Sequence, residues 1–224
     1  MKNKVKDIVN WTGVIIEIKE PFSLQDLVNN YLQTKYKHKY TDCLKTHAEG
    51  HICYLDSLHD TLDFICGETN YDRILPPYKV NSHQRYFRFP SRQKYIPEII
   101  GRLKEIESSN YDNFEDLFHS VNALKLFGFG PTTVYDYSLR LGWHLNPKIE
   151  PKKFVYLHSK PGESARILKS KGYISKTFDN KILFEDLPDD IKNSDMTARD
   201  VEHFLCCYHK YIEKLPNNNN KNNK

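Results

Sequence analysis

The chain is predicted to fold as a mostly α protein. Three observations lead there. Apolar residues recur at three- and four-residue intervals along most of the chain. Such spacing puts them on one face of a helix. Residues suited to helix starts and stops punctuate these patterns. Two such patterns flank a short Gly-x-Gly connector at Gly128 and Gly130.

In chain order, Asn10–Glu20 reads as a strand or an extended lead-in, on Val14, Ile15, Ile16 and Ile18. Residues 22–34 read as a helix capped by Ser23, with Leu24, Leu27, Val28 and Tyr31 on one side. Residues 40–66 carry Leu44, Ile52, Leu55, Leu58, Leu62 and Ile65 and read as helical, divided by Gly50 and stopped by Gly67. The stretch 70–93 holds Pro76, Pro77 and Pro90 and reads as a basic loop. A helix follows over 95–107, with Pro97 tolerable in its first turn. Next come two helices around the connector, over about 114–142. Phe154–Leu157 is a short buried run, ambiguous between strand and helix. Pro161-Gly162-Glu163 opens a helix over 163–171 that stops at Gly172. Thr197 with Asp200 forms a capping box for a last helix reaching Leu215. Residues 1–216 are expected to make one domain, and the Asn/Lys-rich tail 217–224 to be disordered.

Bulk properties narrow the function. The 224 residues suffice to bury a core, and 15 Tyr and 12 Phe can serve it or stack on bases. The net charge of +4 is unevenly spread. Lys79, Arg85, Arg88, Arg92, Lys94, Arg102 and Lys104 face only Glu98 over residues 76–104, and 125–176 is also strongly basic, whereas 177–216 is acidic. Positive charge therefore flanks the connector and suits a polyanion. Five cysteines form no disulfide framework. No signal segment is visible, and no apolar run approaches the ~20 residues that span a bilayer. A monomer in the reducing cytoplasm, without membrane contact, is expected.

Leu126-Phe127-Gly128-Phe129-Gly130-Pro131-Thr132-Thr133 carries the most specific signal. Glycines permit backbone conformations that side chains forbid. They also leave amides at the next helix N-terminus uncovered, where the helix dipole favours phosphate. The run resembles the helix-hairpin-helix of DNA glycosylases related to endonuclease III, whose hairpin reads Leu-Pro-Gly-Val-Gly-x-x-Thr-Ala. Leu126, Gly128, Gly130 and Thr133 match; Phe127 and Val134 depart. The resemblance covers 114–142. Thr133–Asp136, Leu139–Gly142, Val155–His158 and Val201–Cys206 further resemble uncharacterised bacterial proteins distantly similar to that fold, and relatives acting on hypermodified phage bases.

The resemblance implies a two-lobed DNA-glycosylase-like fold and a hydrolase that flips a modified base from DNA and excises it, with antiviral defence as a role. Thr132 stands where strand-cleaving members carry a Schiff-base lysine, which implies a monofunctional enzyme. The family's Val-Asp-Thr-His segment is missing. Cleaving an N-glycosidic bond needs a carboxylate near the developing sugar cation and a donor to the departing base. The candidates are Asp136 for the first and His158 for the second. Glu150, at the family's spacing, and Glu163 are alternative carboxylates. Asp136 with Arg140 at i,i+4 also fits an ordinary helix ion pair of ~0.3–0.5 kcal/mol. Lys125, Gly128, Gly130, Thr132, Thr133, Arg140, Lys160 and Arg166 are expected to contact DNA. Ser159 and the amides of 162–164 are a further candidate anion cradle.

No cofactor is called for. Cys43, His47, His51 and Cys53 would share a helix face in part, but match no standard zinc spacing, so no metal is expected. Tyr86–Pro90 interleaves aromatics with Arg88 and suits stacking or a wedge. Two rival readings are a non-catalytic helix-hairpin-helix DNA-binding protein and a nucleotide- or base-modifying enzyme.

Overall fold

A computed structural model of the chain describes residues 5–8, 15–35, 46–49, 52–55, 96–126 and 129–218. The mostly α class holds. The chain divides into two compact units, Met1–His38 with Pro151–Lys224, and Lys39–Glu150. Among the described residues no helix is long and apolar enough to cross a membrane.

In the first unit, strands β1 (Val5–Ile8) and β2 (Ile15–Ile18) pair antiparallel, Val5 opposite Ile18. The lead-in is thus one arm of a hairpin whose other arm was not expected. Helix α1 (Leu24–Lys35) follows. Ser23 Oγ accepts from the Asp26 amide at 3.2 Å while the Asp26 carboxylate accepts from the Ser23 amide at 2.8 Å, a reciprocal cap. The Ser23 amide and the Ser23 hydroxyl both donate to the Asp26 carboxylate, at 2.8 Å each, and hold its carboxyl below its ordinary pKa.

The first unit resumes at Pro151 with strand β5 (Phe154–Tyr156), which resolves the ambiguous apolar run. Its partner is β6 (Lys181–Leu183), with Val155 opposite Ile182, both buried. Between them runs a helix, Lys160–Ser170, starting three residues before its expected first residue and ended by Gly172 at φ 80°. After a 3₁₀ turn at Phe184–Asp186 and a short helix, Asp189–Lys192, comes Ala198–Cys207, with both bonds of the Thr197–Asp200 capping box present. The expected single helix to Leu215 instead breaks at Tyr208 and restarts as His209–Ile212. The core centres on α1. Tyr31 meets the rings of His203, Phe204 and Tyr208 edge-on at 5.7, 5.7 and 5.9 Å, and Leu27, Val28, Val201 and Leu205 are fully buried. The tail is not wholly loose: the Asn218 amide donates to the Lys171 carbonyl at 2.7 Å, tying it to the end of the 160–170 helix. The rest of the tail lies outside the described residues.

In the second unit, the expected helices over 40–66 are corrected. Thr46–Glu49 (β3) and Ile52–Leu55 (β4) are strands paired antiparallel, Glu49 opposite Ile52. Two residues separate that pair, the commonest spacing for a hairpin. Pairing between strands overrides a weak helical periodicity. The expected basic loop 70–93, with Tyr86–Pro90, lies outside the described residues. Helix Ile96–Glu107 appears as expected. Helices Phe114–Ala123 and Pro131–His144 pack together through Phe114 and Tyr135, whose rings stand 5.8 Å apart. The far end of the second is pinned where the Ile149 amide donates to the Gly142 carbonyl at 2.9 Å. A Cβ on Gly142 would overlap the Ile149 carbonyl, so this contact needs glycine.

Numbered in chain order, the helices used below are α2 (Ile96–Glu107), α3 (Phe114–Ala123), α4 (Pro131–His144), α5 (Lys160–Ser170), α6 (Asp189–Lys192), α7 (Ala198–Cys207) and α8 (His209–Ile212).

Candidate functional site

The candidate residues fall into two groups, one in each unit. On the second unit, α3 ends at Leu124, and Lys125 follows with a positive φ of 49°, in the place where helices commonly turn left-handed. The Phe129 amide donates to the Leu126 carbonyl at 3.0 Å, closing a turn. Gly130 is the N-cap of α4 and Pro131 its first residue. Asn113 caps α3 with its side chain, whereas no side chain caps α4, and the first turn of α4 carries no acid. The Val134 amide closes on the Gly130 carbonyl at 3.0 Å, so the donors before it are the orphan amides of a helix start. Lys125, Gly130 and Pro131 are exposed, and Thr132 and Thr133 are half-buried. Gly128 and Phe127 lie outside the described residues.

The conformational reason for glycine is corrected at Gly130. Its φ is −74°, and nothing lies within 4 Å of where a Cβ would stand. Neither backbone strain nor crowding requires glycine there, and a side chain would fit.

Six residues further on, α4 is buried on every side from Val134 to Gly142. Helices of that kind run through a core. Asp136 is 2% exposed and Arg140 1%. The Arg140 guanidinium reaches the Asp136 backbone carbonyl at 3.5 Å, and Ser138 Oγ donates to the Val134 carbonyl at 2.8 Å. Asp136 and Arg140 are therefore enclosed in the core, not set on a solvated helix face. Arg140 is also not on an open face, unlike the other basic candidates. Glu150 is half-buried, with Lys148 Nζ at 3.5 Å, itself over the Trp143 ring.

The first unit holds His158, Lys160, Glu163 and Arg166. His158 is buried just after β5, its ring 6.0 Å from that of Tyr156. Ser159 then takes φ 54° and ψ −122°, a strained backbone for a residue with a side chain, and caps α5 without a side-chain hydrogen bond. The chain packs tightly here: a Cβ on Gly162 would stand 2.8 Å from the Leu157 carbonyl oxygen. The expected anion cradle is corrected in part, because the Glu163 amide donates to the Ser159 carbonyl at 3.2 Å. Lys160 is exposed but engaged, with its ammonium 2.6 Å from Glu163 Oε2. That contact holds the Glu163 carboxyl below its ordinary pKa and the Lys160 ammonium above its own. Arg166 is exposed.

Asp136 and His158 thus belong to different units. Lys125, Gly130, Thr132, Thr133, Asp136 and Arg140 are brought onto one helix pair, and His158, Lys160 and Arg166 onto one strand-to-helix turn.

Two polar chains in the first unit were not anticipated. Tyr31 Oη lies 3.1 Å from His203 Nδ1, and Cys207 Sγ lies 3.1 Å from His203 Nε2. Burial pushes both the Tyr31 phenol and the Cys207 thiol well above their ordinary pKa. A phenol and a thiol held in their neutral forms suit an orienting rather than a nucleophilic role. The other joins α5 to α7 and α8. Ser164 Oγ donates to the Leu205 carbonyl at 2.6 Å and meets His209 Nδ1 at 2.9 Å; His209 Nε2 faces Glu213 at 3.2 Å and Glu163 at 3.6 Å. The i,i+4 spacing of His203 and Cys207 is a signal visible in the sequence. Ser164 and His209 are 45 residues apart and offer none.

Among the described residues no group of three or more His, Cys, Asp and Glu is placed to hold a metal ion. His47 and Cys53 lie on facing strands, so the helix-face argument for a zinc set does not apply; Cys43 and His51 lie outside the described residues. Neither a family model, nor a curated protein, nor a solved structure matches the chain.

Proposed function

We propose that the chain is a monofunctional DNA glycosylase with a two-lobed, glycosylase-like fold, in which α3, the connector and α4 act as a helix-hairpin-helix grip on the DNA backbone. The observation that carries this reading is the start of α4. It is uncapped by any side chain, free of acids in its first turn, and fronted by an exposed glycine and the exposed Lys125. Such a start offers amide donors and a positive dipole end to a phosphate, at no specific base.

In the proposed reaction the target base leaves the stack. Asp136 stabilises the developing sugar cation; in buried surroundings a fixed charge acts more strongly than in water. His158 donates a proton to the departing base, water adds its hydroxyl to the sugar carbon, the proton the water releases returns to His158, and an abasic site remains. Thr132 supplies no amine, so no covalent enzyme–DNA adduct forms. The resemblance further implies action on modified bases in phage DNA, and the cysteine usage suits a monomer in the reducing cytoplasm.

The rival reading, a non-catalytic DNA-binding module, is favoured by one observation. Asp136 and Arg140 are so deeply buried that a purely architectural role accounts for both.

The test is incubation of the native chain with plain and hypermodified phage DNA, with mass detection of freed bases and of abasic sites, and with borohydride present in a parallel arm. Release from one modified DNA without a trapped adduct is expected. A trapped adduct through Lys125 or Lys160 would replace the monofunctional mechanism. Tight, salt-sensitive binding with no base released from any DNA would hand the function to the binding module.

A further inference from the structure

The β5–β6 strand pair carries, on the face it shares with the buried Tyr156, an arrangement that the helix pair does not explain. Register places Phe154 opposite Leu183 and Tyr156 opposite Lys181, so Phe154 and Lys181 are diagonal neighbours on one face. The other face, Val155 and Ile182, is buried in the core. Over the half-buried Phe154 ring stand two ammoniums, Lys181 Nζ at 4.3 Å and Lys153 Nζ at 5.2 Å from its centroid. The two charges are therefore no more than 9.5 Å apart, the sum of those distances. That lies within a Debye length of about 10 Å at 0.1 M salt, so their repulsion is not screened away. Lys152, the next residue back, is exposed as well.

Three other lysines of the same unit are neutralised by carboxylates. Lys160 holds Glu163, Lys192 holds Asp189 at 3.0 Å, and Lys214 holds Glu20 at 3.1 Å. Among the described residues Lys153 and Lys181 have no carboxylate within ion-pair distance, and Asp179, exposed two residues before Lys181, does not reach either. The ring attracts each cation weakly through its face, by about 0.5–1 kcal/mol at an exposed site. It orients the pair without cancelling its charge. Two uncompensated, oriented cations on a rigid strand pair complement a row of phosphates.

We propose that the Lys153–Phe154–Lys181 face is a second contact for the DNA phosphate backbone, built on a different unit from the α3–α4 grip. The inference rests on the reading that DNA is the partner, and it assigns to the first unit a share of the affinity that the sequence placed chiefly around the connector. The two ammoniums displace counterions from two phosphates. The contact is blind to base sequence and acts on affinity alone.

The experiment measures binding of the full chain to a duplex of fixed length across a salt series. It compares the native protein, K153Q/K181Q, the charge-matched control K192Q/K214Q, and Gly130→Val. All four lysines are at the surface or half-buried, and a thermal midpoint for each variant checks the fold. The slope of log K against log salt is expected to shrink by roughly 1.8 in K153Q/K181Q, at ~0.9 per lost phosphate contact, with affinity roughly tenfold or more weaker at 0.1 M salt. K192Q/K214Q should change both far less. Native slope and affinity in K153Q/K181Q overturn the inference, and so does an equal loss in the control, which would make net charge the cause. Loss in Gly130→Val alone sinks this contact and keeps the helix-pair grip. Loss in K153Q/K181Q alone keeps this contact and sinks that grip. A native chain with no salt-dependent DNA binding overturns both.

Discussion

Helices α4 and α5 begin alike and end up in opposite circumstances. Both start without a side-chain cap and with proline in the first turn. At α4 the start is relaxed and open: Gly130 has an ordinary φ, no neighbour at its absent Cβ, and no acid nearby in the helix. At α5 it is strained and closed: Ser159 has φ 54°, Gly162 is pressed against the Leu157 carbonyl, and Glu163 supplies the negative charge that the helix dipole favours. Glu163 also occupies Lys160. An uncapped helix start is thus not in itself an anion site. What differs is whether the chain brings its own anion, and on that ground α4 is the better candidate. The bodies of the two helices differ in the converse sense, since α4 is enclosed from residue 134 to 142 while α5 keeps Arg166 exposed.

The largest expected effect sharpens that last contrast. Arg140→Ala should destabilise the chain by about 3–5 kcal/mol, the cost typical of breaking a buried charged interaction. Arg166→Ala, on exposed surface, should stay within about 0.5 kcal/mol. Chemical denaturation of both variants decides; equal, small losses would show that α4 is not the enclosed helix described.

A matched pair of glycine substitutions compares the two starts. Gly162→Ala should cost about 1–3 kcal/mol, because the methyl group meets a backbone carbonyl that cannot move freely. Gly130→Ala should be neutral or stabilising by up to about 1 kcal/mol, since a compatible φ lets alanine restrict the unfolded chain. DNA affinity should nevertheless fall in Gly130→Ala and more in Gly130→Val, as the side chain covers the amides. Thermal melts and binding isotherms on the same samples separate the two effects. Unchanged affinity in a folded Gly130→Val protein would remove α4 as the phosphate grip.

The smallest effect concerns the exposed Lys160–Glu163 pair. The Glu163 carboxyl sits below its ordinary pKa when folded, so its stabilising contribution is present above the unfolded carboxylate value. It is lost as pH falls through the folded one. The melting temperature of Glu163→Gln should therefore lie slightly below native at neutral pH and converge on it in acid. Divergence in acid would contradict the sign.

Local signals were the legible ones. Ser23 as a cap, and Thr197 with Asp200 as a capping box, are signals written within four residues, and both caps form, Ser23 with Asp26 as a reciprocal partner. The segment 46–55 was misread because its apolar residues fit a loose helical spacing, while the hairpin depends on pairing between chain segments that no single-strand period records. The break at Tyr208 was missed because the apolar pattern continues across it into Tyr211, Ile212 and Leu215. For the candidate site, the α3–connector–α4 order was legible from Gly128 and Gly130, but the burial of Arg140 was not, because a basic residue within an apolar helix reads equally as its solvent edge. Lys153, Phe154 and Lys181 meet through strand register, which needs the fold to be known.

The most direct measurement is base release by the native chain and by Asp136→Asn from hypermodified phage DNA, with DNA affinity measured on both. The account expects release by the native protein, and in Asp136→Asn no release but near-native affinity, because the amide keeps the shape and loses the charge that a cationic sugar requires. Undiminished release in Asp136→Asn would contradict it and pass the carboxylate role to Glu150 or Glu163.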